Sequence, residues 1–217
     1  FDERCAEKQN GAVFRENADR SAGMGYILRE HIFEKDGFDS ICSCTLVSPE
    51  GRELFEFRTI QCTLHRVIII KGKPYFFYTD NLYGYNVVRL EDMKEFRYFP
   101  RASFGQDDFR ETFIWTDIIF NEETGHLAAE GCYWACYYEV MLYEIPDIMS
   151  QFTGICCPRE FCGYDYYDIS DEKTRWEDSM LVISCDTAGS DDDEVQDIQL
   201  KLSVKDCMSH MHKVYQK

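Results

Sequence analysis

Apolar and polar residues alternate with a period of two at several places in this chain. Ile198, Leu200 and Leu202 alternate with Gln199 and Lys201, and Phe96 and Tyr98 alternate with Glu95 and Arg97. That alternation sends successive side chains to opposite faces of a half-buried strand. A helical period is nearly absent. The strand pattern also recurs. Four apolar segments, Tyr26 to His31, Tyr75 to Asp80, Leu127 to Cys132 and Leu181 to Asp186, start 49, 52 and 54 residues apart. After a polar or Gly-bearing gap each is followed by a second segment: Ser40 to Val47, Tyr85 to Leu90, Tyr138 to Tyr143 and Val195 to Leu202. A unit repeated at about fifty residues marks a repeat architecture.

Two shorter runs, Arg66 to Ile70 and Ile114 to Phe120, precede first segments, and two more, Glu53 to Phe57 and Glu95 to Phe99, follow second ones. The unit therefore holds about four strands. Turn chemistry stands where strands must reverse, at Pro49-Glu50-Gly51, Lys71-Gly72-Lys73-Pro74 and Glu123-Thr124-Gly125. The pattern predicts an all-β fold, a small β-propeller-like array of about four antiparallel sheets, with a two-sheet β-sandwich as the alternative. One domain is expected over 1–217: an N-terminal arm over 1–25, repeats over 26–64, 65–113 and 114–152, and a long loop plus a fourth repeat over 153–217. Ser150 to Asp178 reads as an inter-repeat loop, because Cys156-Cys157-Pro158, Gly163 and several acidic residues interrupt any period.

Composition supports a globular chain: 217 residues with 45% hydrophobic and 15% aromatic content can fill a substantial core. Charge narrows the partners. With 40 acidic against 23 basic residues the formal charge is −17, a field that repels phosphate backbones and anionic lipid heads. Nucleic acid and membrane are therefore not expected, whereas a protein with a basic surface would be steered toward the chain. The run Asp191-Asp192-Asp193-Glu194 reads as solvated charge at a hairpin tip, without the spaced ligands and glycine of a calcium loop. No segment has the eighteen or so apolar residues of a membrane helix, and the first residues lack a signal pattern. A cytoplasmic protein is expected.

Eleven cysteines without a leader suggest free thiols in a reducing compartment. On an extended strand Cys132 and Cys136 would lie about 13 Å apart at a rise of roughly 3.3 Å per residue, too far for one zinc or one disulfide. Only a bend at Tyr133 to Ala135 would bring them together. Cys157 and Cys162 have the spacing of a zinc knuckle, but no second knuckle accompanies them, and unliganded thiols are the simpler reading. No cofactor is expected. There is no nucleophile elbow, phosphate-cradling loop or HExxH motif, and Gly23-Met24-Gly25 precedes a strand where a dinucleotide fingerprint needs a helix. A nucleophile–base pair of Cys132 and His126 would be separated by about 20 Å of extended chain.

Asn81-Leu82-Tyr83-Gly84-Tyr85, Phe113-Ile114-Trp115-Thr116-Asp117 and Gly131-Cys132-Tyr133-Trp134-Ala135-Cys136-Tyr137-Tyr138-Glu139 carry a resemblance over about residues 66–148. The stretch is similar to a family of uncharacterised bacterial proteins with LYGY, WTD and GCYWACPYE signatures, departing at Tyr137, where that family usually has proline. The resemblance implies a bacterial cytoplasmic protein and no particular activity. A looser likeness to WD40-type blades lacks their Trp-Asp dipeptide. If the repeats are equivalent, Tyr83, Tyr85, Trp115, Asp117, Tyr133 and Trp134 gather near the same ends of adjacent sheets, as a binding surface or as core packing. Two functions fit these features. One is a non-catalytic interaction module, of inhibitor or immunity type, for a basic protein or a small ligand. The other is a metal- or cysteine-dependent hydrolase with a site near Asp117, Glu130, Cys132 and Cys136.

Overall fold

In the computed structural model the described residues are 12–35, 38–60, 62–100, 112–162, 166–169, 174–188 and 195–213. All twelve segments that the pattern marks as strands are strands, and they build four antiparallel sheets in chain order. Sheet 1 runs β1 (Val13–Gly23), β2 (Tyr26–Lys35), β3 (Phe38–Val47) and β4 (Glu53–Thr59); sheet 2 runs β5 (His65–Ile70), β6 (Lys73–Tyr78), β7 (Tyr85–Arg89) and β8 (Lys94–Tyr98). Sheet 3 holds β9 (Ile114–Asn121), β10 (His126–Cys132), β11 (Tyr138–Glu144) and β12 (Gly154–Cys156). Sheet 4 holds β13 (Tyr166–Ile169), β14 (Arg175–Glu177), β15 (Met180–Ala188) and β16 (Val195–Ser203). The recurring segment pair is in each case a central antiparallel hairpin: β2–β3, β6–β7, β10–β11 and β15–β16.

The turns follow from residues that tolerate positive φ. Lys71 and Gly72, at φ 51° and 74°, make the two-residue reversal between β5 and β6, the arrangement whose twist suits a tight hairpin. Gly84 of the LYGY segment has φ 84°, and a Cβ there would collide with the carbonyl oxygen of Tyr98. That glycine is required by backbone approach as well as by conformation.

Phe1–Pro100 and Arg101–Lys217 form two compact units. Sheets 1 and 2 share an apolar layer of Leu28, Leu46, Phe57, Phe76, Tyr78 and Val88 within the first unit. In the second unit, Val140, Leu142 and Cys156 of sheet 3 pack against Leu181, Ile183 and Cys185 of sheet 4.

Two boundaries differ from expectation. The arm over 1–25 contains β1, whose eleven residues carry mostly exposed side chains and so show no apolar period, yet pair along nearly all of β2. The supposed loop from Ser150 to Asp178 contains β12, a 3-10 turn over Pro158–Glu160, β13 and β14. These strands are three or four residues long, too short to display a period. β13 pairs with the second half of β15 and β14 with its first half, so two short pieces share the place of one outer strand. The chain then forms a six-residue helix, α1 (Val204–Ser209), capped by the Ser203 hydroxyl accepting from Asp206 N at 3.1 Å, before β17 (His212–Lys213) joins β12 as a fifth strand of sheet 3. Asp191 to Glu194 lie outside the described residues.

Candidate functional site

The β10–β11 ladder ends at the pair Cys132 and Tyr138, which leaves Tyr133 to Tyr137 as its connection. Cys136 N donates to the Tyr133 carbonyl at 2.9 Å, and Ala135 takes φ 59°. A single positive φ at the third turn position is the type II pattern, which ordinarily calls for glycine. Trp134 is thrown outward by this turn and is 70% exposed; Tyr137 and Tyr138 follow at 57% and 42%. Large apolar rings stand grouped on one hairpin tip, where isolated exposure would need no comment.

The base beneath that tip is tightly built. Gly131 stands opposite a bulge in β9, where Thr116 is the extra residue between the Glu130–Asp117 and Gly131–Trp115 pairs. A Cβ on Gly131 would run into the carbonyl of Ile114, so only glycine lets the strands approach here. The Thr116 hydroxyl donates to Glu130 O at 3.1 Å, and the Glu130 carboxylate accepts from Thr174 N at 2.9 Å. Tyr133 packs edge-on against the buried Phe113 ring, centroids 5.4 Å apart. The turn thus carries Trp134 on a braced support.

The remaining residues named from the sequence go elsewhere. Trp115 is 2% exposed and packs on Tyr143 at 4.6 Å and Phe152 at 6.2 Å, as core. The Asp117 carboxylate accepts from Ile118 N at 2.8 Å. In the first unit Tyr85 is buried and packs at a tilt on Tyr98, centroids 5.2 Å apart, while Tyr83 is half-buried in the β6–β7 connection. Of the four second-unit residues named from the sequence, Tyr133 and Trp134 lie in the β10–β11 connection, whereas Trp115 and Asp117 lie on β9.

The thiols also take different positions from those assumed. Cys132 and Cys136 do not lie on one extended strand, since the Tyr133 turn bends the chain between them. Cys157 donates to Glu139 Oε2 at 3.3 Å, and Arg159 meets the other oxygen of that carboxylate at 3.3 Å. Burial, then the Glu139 charge, pushes the Cys157 thiol up to about 12, which keeps it protonated. Cys162 Sγ instead lies 4.0 Å from the Arg159 carbonyl. Among the described residues no group of three His, Cys, Asp or Glu side chains is placed to hold a metal ion.

Sequence reasoning missed a cleft in the first unit. It has a volume of about 310 Å³ and is lined by Ser43, Glu56, Phe57, Arg58, Asp80 and Arg97. Arg97 is held between Asp80 at 3.4 Å and Glu95 at 3.0 Å; Tyr78 donates to Glu95, and Asn86 Nδ2 donates to Asp80 at 2.9 Å. Its lining is drawn from residues as far apart as Ser43 and Arg97, so no local motif could reveal it.

Among the described residues no helix is long and apolar enough to cross a membrane. No family model matches the chain, and no curated protein matches it either.

Proposed function

We propose that this chain is a non-catalytic binding module whose β10–β11 turn docks a cationic segment of a protein partner, with Trp134 as the anchor and Tyr137 and Tyr138 beside it. The observation that carries this reading is Trp134 itself, 70% exposed on a hairpin whose base is pinned by Gly131, Glu130 and Tyr133. Covering that indole would remove roughly 140 Å² from water, a gross gain of about 3.5 kcal/mol at about 25 cal/mol per Å². A rigid support limits the ordering that binding must offset. Aromatic faces attract guanidinium and ammonium groups, and the charge of −17 steers such a partner in from a distance. The role that fits these properties is neutralisation of a basic protein, as an inhibitor or immunity-type protein does, in a bacterial cytoplasm, consistent with ten described cysteines that are free thiols in the resting fold.

The hydrolase alternative has less support. Asp117 and Glu130 already accept backbone hydrogen bonds, from Ile118 and Thr174, and Cys136 sits at the exposed turn while Cys132 belongs to the ladder. The test uses an arginine-rich peptide as probe, followed by tryptophan emission, because Trp115 is buried and Trp134 is the most exposed indole. Binding is expected to alter emission in the parent chain and, followed by titration calorimetry, to weaken as salt rises from 50 to 500 mM and to weaken at least 10-fold in Trp134→Ala. Equal affinity of Trp134→Ala and the parent chain for the peptide overturns the assignment.

A further inference from the structure

We propose that Cys156 and Cys207 form a dithiol–disulfide pair, a modification site at which a small-molecule disulfide of the glutathione class reversibly fastens the C-terminal helix to sheet 3. The two cysteines stand 51 positions apart in sequence yet meet in one buried cluster, where their side chains are hydrogen-bonded to each other. Both are fully buried. Cys156 is the last residue of β12, and its neighbour Cys157 points the opposite way, onto Glu139. Strand alternation therefore selects Cys156, and not the adjacent thiol, for Cys207.

The partner element suits a reversible link. α1 has six residues and buries only Val204 and Cys207, with Lys205, Asp206, Met208 and Ser209 exposed. β17 then pairs with β12 through two residues, Ile155 with His212 and Gly154 with Lys213. Around that short ladder the segment is fixed by His210 stacked on Phe161 at 4.1 Å and His212 beside Glu160 at 3.1 Å. So little secondary structure opens locally at modest cost, which gives an oxidant access to thiols that are closed off in the resting fold. Cys207 lies on the short helix that opens, so it is the sulfur an oxidant reaches first.

The chemistry balances as thiol–disulfide exchange. The Cys207 thiolate attacks one sulfur of oxidised glutathione, breaking its S–S bond and releasing one glutathione thiolate, which takes up a proton. Cys156, losing its proton to solvent, then attacks the Cys207 sulfur of the mixed disulfide and expels the second glutathione. Two protein thiols are oxidised by two electrons, and one glutathione disulfide is reduced to two thiols. The product closes a loop of about 50 residues, which restricts the unfolded chain and raises stability.

The full chain is equilibrated for several days in glutathione buffers from fully reduced to fully oxidised, quenched with acid, alkylated and digested without reduction. The expected result is a cross-linked peptide pair containing Cys156 and Cys207, a melting temperature several degrees higher than in the reduced protein, and reversal of both by dithiothreitol. Cys207→Ser and Cys156→Ser should each lose the cross-link and the shift while melting near the reduced parent. Cys162 and Cys185 share the same cluster and serve as internal competitors. A pair that stays unlinked in fully oxidised buffer, a cross-link to Cys157, Cys162 or Cys185 instead, or a linked form that melts below the reduced one overturns the proposal.

Discussion

The two units use one plan with two kinds of filling. In the first, rings from both sheets interlock: Phe76 lies 5.4 Å from Tyr78 and 6.0 Å from Phe57, and Tyr78 lies 4.2 Å from Phe57. In the second, the buried layer is aliphatic and thiol-rich, with Val140, Leu142 and Ile183 beside Cys156, Cys185 and Cys207. Large rings fill an inter-sheet layer from few positions, and their edge and face preferences hold the strands in one register. Small branched chains and thiols spread the same task over more positions, each contributing less. The lesson is that a shared strand pattern does not carry a shared energetic design.

The comparison breaks first at Phe76. Phe76→Ala is expected to cost about 3–5 kcal/mol, since the residue is fully buried among rings that cannot close over the void. Ile183→Val, deleting one methylene from the other core, should cost about 0.5–1.5 kcal/mol. Urea denaturation measures both, and equal losses would remove the distinction between the two layers. Next comes Gly131→Ala, whose methyl must displace the Ile114 backbone; a loss of about 1–3 kcal/mol is expected, together with weaker exchange protection across the β9–β10 bulge.

Thiol chemistry sharpens the contrast. Burial first, with the Glu30 charge, pushes Cys42 up to about 11 and Cys62 up to about 12, and burial does the same for Cys157. A thiol with a raised pKa is still protonated at pH 8, and its thiolate appears only as pH climbs toward the folded value. Iodoacetamide at pH 8 should therefore label exposed Cys136 at least about 100-fold faster than Cys157, read by peptide mass mapping. Comparable rates would show that the second unit opens far more readily than its packing implies. The smallest effect belongs to the tip itself. Ala135→Gly relieves a positive φ but loosens the unfolded chain, for a net gain of at most about 0.5 kcal/mol, and Trp134→Ala should change stability by no more than about 0.5 kcal/mol. A larger loss from Trp134→Ala would make that ring structural.

Local rules made most strands readable. Ile198, Leu200 and Leu202 alternate because one face of β16 is wetter than the other, and Lys71-Gly72 marks a reversal because few residues accept positive φ. The short pieces β12, β13 and β14 escaped notice because three or four residues cannot exhibit a period. The aromatic motif was visible, yet its members could not be sorted. Trp115 and Trp134 are the same side chain in neighbouring motifs; one sits at a ladder position facing Tyr143 and the other at a turn that ejects it. The cleft around Arg58 and Arg97 had no sequence signal at all.

From its residues alone this chain specified antiparallel strands, their four-fold recurrence, the turns that join them and an acidic surface, since each rests on periods and conformational preferences that act within a few residues. Which hairpin faces meet, which ring is buried, that Cys156 finds Cys207 and that β17 returns to β12 were decided by tertiary packing, because those outcomes depend on shape matching between segments far apart in the chain.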